Sequence, residues 1–292
     1  MNNTSALIWR DYLELTKPGV QALLFVSCIS GMLIGSNFSP PLPIFIFGLL
    51  GISFLAASAG VINHIFDSEI DAKMNRTSSR PLVKGSITEF SASMFAAGLY
   101  ISGSIMLLLY VNALTWILTS LTFIFYAFIY TRYLKFMTSQ NIVIGGLAGA
   151  MPPLLGWTAV SNTIEPNAWL LVLIVMVWTP PHFWALAVYR VEDYAEAGVP
   201  MLPVQKGIAF TKQHIVLYTL LLLVSTMLPY VVGMFHELYL VVALILGLGF
   251  LYFSIKLYRD ETNASAMQTF AYSISYLAAL FGAMLVDQYL YL

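Results

Sequence analysis

Residues 43–62 read PIFIFGLLGISFLAASAGVI and run directly into NHIFDSEID at 63–71. Twenty residues without a charge are enough for a helix to cross the roughly 30 Å hydrocarbon core of a bilayer at about 1.5 Å per residue. Charged and amide side chains arrive only once that length has been used. Eight further apolar runs lie near 20–36, 88–110, 113–131, 141–160, 168–187, 213–234, 238–256 and 267–286. The pattern predicts an all-α polytopic membrane protein of nine transmembrane helices, a single membrane-embedded domain over 1–292. Composition agrees: 59% of residues are hydrophobic and 9% charged, against roughly 25% charged in soluble domains.

The charges are sorted by position. Arg10 and Lys17 precede the first run, while Lys73, Arg76, Arg80 and Lys84 follow the second. Arg132 and Lys135 follow the fourth, Arg190, Lys206 and Lys212 the sixth, and Lys256 and Arg259 the eighth. All 13 basic residues therefore fall on one set of alternating loops. The positive-inside rule makes that side cytoplasmic. The expectation is a multi-pass protein of the cell inner (plasma) membrane, N-terminus cytoplasmic and C-terminal DQYLYL outside. Segment 1–19 mixes Trp9, Tyr12, Leu13 and Leu15 with charges, which suits a helix lying at the headgroup level rather than a cleavable signal peptide. Cys28 is the single cysteine, so disulfides and thiolate metal clusters are excluded. No basic tract points to nucleic acid.

Two cytoplasmic loops, 63–87 and 188–212, are long and charged, and function is expected there. They follow runs four apart, as an internal duplication would leave them. In NHIFDSEID, Asn63, Asp67 and Asp71 recur every four residues and would form one stripe on a helix. Such oxygen ligands suit Mg²⁺, which shares its coordination with water and substrate phosphates. Lys73, Arg76, Arg80 and Lys84 stand close by in sequence, and metal plus basic side chains is what makes diphosphate a leaving group. The plainer alternative is that the carboxylates mark the solvated end of a helix. In the second loop, Asp193 and Glu196 are three apart and share a face, Asp193 being the stronger ligand candidate. His182 follows Pro180-Pro181 in the sixth run. A haem ligand, a proton-transfer group and an interhelical hydrogen bond are all open for it. The Pro152-Pro153 and Pro180-Pro181 pairs are expected to bend or interrupt their helices. Gly145, Gly146, Gly149 and Gly156 would let neighbours approach closely.

At these residues the chain resembles the membrane-embedded prenyltransferases of the UbiA superfamily. Asn63, Asp67 and Asp71 match the family's N-x-x-x-D-x-x-x-D motif. Met74, Arg76, Thr77, Arg80 and Pro81 match its continuation in the haem-modifying branch. YTRYLK at 130–135, NIVIGGLAGAMPPLLGW at 141–157, PPHFWAL at 180–186 and EDYAEAGVPMLP at 192–203 are similar to segments of that branch, in the same order. Phe136 stands where the family commonly has arginine, leaving Lys135 as the nearer phosphate contact. Ala197 and Pro200 thin out the second acidic motif.

The resemblance implies a UbiA-type bundle that transfers the farnesyl group of farnesyl diphosphate to a vinyl group of haem B, giving haem O and diphosphate. It implies Mg²⁺ held by Asn63, Asp67, Asp71 and Asp193, and substrate contacts from Lys73, Arg76, Arg80, Lys84, Tyr130, Lys135, His182, Tyr189 and Glu196. Hand-over of the product to haem A synthase or a terminal oxidase would follow. An aromatic acceptor, such as a quinone or chlorophyll precursor, is the nearest rival. A cation transporter built on Asp67, Asp71 and Asp193 is another, although transport sites usually lie near the midplane.

Overall fold

The computed structural model describes residues 2–75 and 77–292, with side-chain surroundings from residue 8 onward. Among these residues there are nine helices long and apolar enough to cross a membrane, and no strand. Helices are the solution the solvent imposes, because a bilayer core offers backbone N–H and C=O groups no partner outside the segment itself. The chain is a polytopic all-α membrane protein. The spans run Pro18–Gly35, Leu42–Asp71, Glu89–Tyr110, Ala113–Met137, Asn141–Ser161, Pro166–Tyr189, Ile208–Val231, Glu237–Arg259 and Ala266–Leu290. Side-chain caps start two of them. Thr88 accepts from the Ser91 amide at 3.2 Å, and Asn112 from the Thr115 amide at 2.8 Å.

The second and sixth spans occupy corresponding places. The second packs along the third and touches the first, fourth and fifth, while the sixth packs against the fifth, seventh and ninth. The ninth closes onto the first. Trp157, Leu171, Trp178, Tyr276 and Phe281 belong to the shared apolar core. Small residues bring the first and fifth spans together: a Cβ at Gly156 would collide with the Cys28 carbonyl, and one at Gly31 with the Pro153 carbonyl. Gly145 lies under the Tyr130 ring and Gly146 under Thr179. Gly149 has nothing within 4 Å and does not share that role.

Two span boundaries move, and one proline pair interrupts its helix as expected. The helix of the second span continues through Asp71 instead of yielding to a loop at residue 63, because Asn63, Asp67 and Asp71 are each only 4% exposed and find partners on neighbouring segments. The two proline pairs behave differently. Pro152 opens a new helix after a break at Met151, its natural place since an N-terminal residue needs no intrahelical donor. Pro180 and Pro181, by contrast, lie inside one helix from Pro166 to Tyr189. Finally, the ninth span takes in Asp287, which is fully buried. Its carboxylate accepts the His236 amide at 2.8 Å and the Tyr239 amide at 3.0 Å, capping the eighth span from a distant part of the chain.

The helix Asn2–Leu15 folds back against the second span and the short helix Pro81–Lys84, with Trp9 and Leu13 exposed and Leu15 buried. This places its end, and Lys17 after it, beside the acidic stripe.

Candidate active site

The stripe forms as the four-residue spacing requires. Asn63 Nδ2 donates to Asp67 Oδ2 at 2.9 Å across one helical turn and to Thr131 Oγ1 of the fourth span at 3.0 Å. Lys135 Nζ lies 2.8 Å from Asp67 Oδ2. Arg80 pairs with Asp71 through a short contact, and Lys17 donates an equally short hydrogen bond to Asn63 Oδ1. Each oxygen-bearing member of the stripe thus carries one basic partner, and the three partners come from three separate segments. Thr77 Oγ1 also donates to the Asp71 carbonyl at 3.0 Å, folding the loop back over the helix end.

The fourth span reaches the stripe through an unusual backbone. Residues Phe125–Leu134 form a π-helix, in which side chains five apart come into line. Thr131 Oγ1 accordingly donates to the Tyr126 carbonyl at 2.8 Å, and the Lys135 amide bonds the Tyr130 carbonyl. Tyr126 and Tyr130 stack with centroids 5.7 Å apart. The Tyr126 hydroxyl accepts from Lys17 Nζ at 3.3 Å. Asn141, fully buried, donates to the Lys135 carbonyl at 3.0 Å and holds the end of this span in place.

The second loop contributes less. Asp193, on the short helix Val191–Glu196, accepts from Asn75 Nδ2 at 3.4 Å and pairs with Arg190 at 3.4 Å. Asn75 follows Asp71 by one turn of loop, so the two acidic segments meet at the same end of the bundle. Glu196, Lys73 and Lys84 are exposed, and Tyr189 is 49% exposed with Arg190 over its ring. Arg76 lies outside the described residues. His182 sits elsewhere, buried between Trp178 and Phe270 at centroid distances of 4.3 and 4.5 Å, its Nδ1 2.6 Å from Ser273 Oγ. Of the readings open for it, the interhelical hydrogen bond is present.

Among the described residues no three His, Cys, Asp or Glu groups converge as a ready metal cluster. The donor set nonetheless fits a hard cation. Asp67 Oδ1 is buried and accepts no hydrogen bond, an arrangement that costs free energy unless something fills it. One amide oxygen and two carboxylates are the oxygen ligands that Mg²⁺ prefers. Sequence reasoning missed Lys17, Asn75, Tyr126, Thr131 and Asn141. None belongs to a spacing pattern, and the π-helix that aligns Tyr126 with Thr131 has no signature in a 3.6-residue period.

Residues 24–281 match the UbiA prenyltransferase family. The chain is 51% identical over 290 residues to a protein of Saccharophagus degradans named protoheme IX farnesyltransferase, covering 99% of this chain and 96% of that one. The protein of the same name from Alcanivorax borkumensis is 54% identical over 284 residues, 97% of this chain and 94% of the other. Among solved structures, a digeranylgeranylglyceryl phosphate synthase superposes with a TM-score of 0.80 at 24% identity, covering 97% of this chain and 99% of its own. A UbiA homologue from Archaeoglobus fulgidus bound to GPP and Mg²⁺ gives 0.70 at 16% identity, with coverages of 94% and 99%. At these identities the two structures speak for the fold.

Proposed function

This chain belongs to the UbiA prenyltransferase family, and on that premise we propose that it transfers the farnesyl group of farnesyl diphosphate to a vinyl group of haem B, giving haem O. The observation that carries the chemistry is the pairing of Asn63, Asp67 and Asp71 with Lys17, Lys135 and Arg80 at one end of the bundle. The acceptor follows from the relatives named protoheme IX farnesyltransferase, which match over nearly the whole chain.

Asn63, Asp67 and Asp71 would hold Mg²⁺, with Asp193 approaching from the second loop. When bound, the metal neutralises charge on the departing diphosphate. Lys135 and Arg80 swing from the carboxylates to the phosphate oxygens and balance the negative charge that grows as the C1–O bond breaks. Diphosphate leaves with both electrons of that bond. The vinyl π electrons of haem then close a C–C bond to the allylic cation, and water adds to the resulting carbon centre with loss of a proton. Tyr126 and Tyr130 lie beside the charged groups, where they would help exclude water from the allylic centre. The basic end, with Lys17, Arg80 and Lys135, faces the cytoplasm of the cell that makes the protein, and the membrane is the plasma membrane.

The test is direct. Purified protein in detergent is incubated with haem B, farnesyl diphosphate and Mg²⁺, with and without Asp67→Ala, and the haem is analysed by mass spectrometry. A farnesylated, hydrated haem that forms only with intact Asp67 and metal is the expected result. Unchanged haem B alongside a prenylated aromatic acceptor would refute the assignment of acceptor.

A further inference from the structure

Lys17 stands at the junction between the first helix and the first span, and its backbone is held in the left-handed region at φ 56°, ψ 60°. This is unfavourable for a residue with a Cβ, and the next residue, Pro18, disfavours a helical conformation before it still further. Backbone strain of this kind persists where surrounding contacts impose it. Here the contacts are with the site: Lys17 Nζ donates to Asn63 Oδ1 and to the Tyr126 hydroxyl, and lies 5.8 Å from the centre of the Tyr126 ring.

The placement has an electrostatic consequence. Asn63 has one acceptor atom on its side chain, and its amide nitrogen is committed to Asp67 and Thr131. A metal ion seeking Asn63 Oδ1 therefore meets an ammonium group already there. The same holds for Asp67 with Lys135 and Asp71 with Arg80. Each of the three ligand oxygens is therefore covered by a cation before any substrate arrives. Such a site attracts an anion and repels a lone divalent cation.

We infer that Lys17 is a further binding residue of this site, an internal counter-cation that holds Asn63 Oδ1 until a prenyl diphosphate draws its ammonium away, so that the diphosphate binds before, or together with, the metal rather than after it. The inference rests on the function proposed above and adds to it a residue and an order of binding. Lys17 stands two residues past the end of the helix Asn2–Leu15, which is thereby joined to the site.

The experiment measures two affinities on the full chain in detergent. One is for Mn²⁺ alone, by electron paramagnetic resonance. The other is for farnesyl thiodiphosphate, whose C–S bond resists ionisation, in the presence of EDTA. Wild type should bind the metal-free thiodiphosphate and take up Mn²⁺ only weakly. Lys17→Met should shift the two in opposite directions, tightening Mn²⁺ and weakening the thiodiphosphate, each by about tenfold. Lys17→Arg, which keeps the charge, should stay near wild type. A purely structural Lys17 would weaken both ligands or neither, and either result overturns the inference. If Lys17→Met does not fold, wild type still decides: tight Mn²⁺ binding without diphosphate, with thiodiphosphate bound only when metal is present, overturns it as well. A folded wild type that binds neither ligand, even when thiodiphosphate and metal are offered together, would bring down the prenyl-diphosphate reading itself. A wild type that farnesylates haem while Lys17→Met shows no opposed shift would sink only the role of Lys17.

Discussion

Replacing Lys135 by methionine removes the ammonium that lies 2.8 Å from Asp67 Oδ2 while keeping most of the side-chain volume. The Asp67 side chain is 6% exposed and that of Lys135 16%, so the pair is largely shielded from water. What remains is a buried carboxylate with one oxygen unpartnered and the other bonded to Asn63 alone. Breaking a buried pair from one side costs about 3–5 kcal/mol, and the partial exposure of Lys135 places this case near the lower end, about 3 kcal/mol. Asp67→Asn should cost less, about 1 kcal/mol, because a lysine at the rim can turn its head toward water. The double variant leaves no buried charge and should lie close to Asp67→Asn, giving a coupling of about 2–3 kcal/mol. Unfolding titrations of all four proteins in mixed micelles measure the cycle. Coupling below about 0.5 kcal/mol would mean that water screens the pair as it does on a surface, and the argument for a shielded charge cluster would fail. The double variant should also be stable yet inactive in prenyl transfer, since both residues belong to the proposed substrate site.

Other sites make separate claims. Gly156→Ala must push the first and fifth spans apart at the Cys28 carbonyl and should lose about 1–3 kcal/mol, whereas Gly149→Ala, with open space around it, should be neutral in the same unfolding assay. Asp287→Ala strips the cap from the eighth span and should cost about 1–3 kcal/mol, with Asp287→Asn milder because one acceptor oxygen survives. Hydrogen bonds from Ser265 and Thr262 hold the Asp260 carboxyl below the usual carboxylate range. A group whose folded pKa is depressed stabilises its surroundings above the unfolded value, about 3.9, and loses that contribution as pH falls toward the folded one. The protection of the Thr262 and Ser265 amides against exchange, relative to the intrinsic rate at each pH, should therefore hold at pH 5 and fall only below about pH 4.

Much of this architecture was legible one segment at a time. A bilayer imposes a fixed length and forbids unpaired backbone, so uncharged runs translate into spans without any knowledge of packing. The i, i+4 recurrence of Asn63, Asp67 and Asp71 is local in the same sense, and the helix turns it into a stripe. The identity of the partners is not local. Lys17 lies 46 residues from Asn63, and Lys135 meets Asp67 from just past the π-helical stretch of the fourth span. Asp287, which looked like part of a solvated terminus, is buried because the eighth span presents unpaired amides to it. His182 took its place in the same way, from a serine 91 positions away and two aromatic rings. Periodicity reports which face of a helix is polar. Which charge meets it depends on how distant helices pack, and that is a sum of contacts no short window of sequence contains.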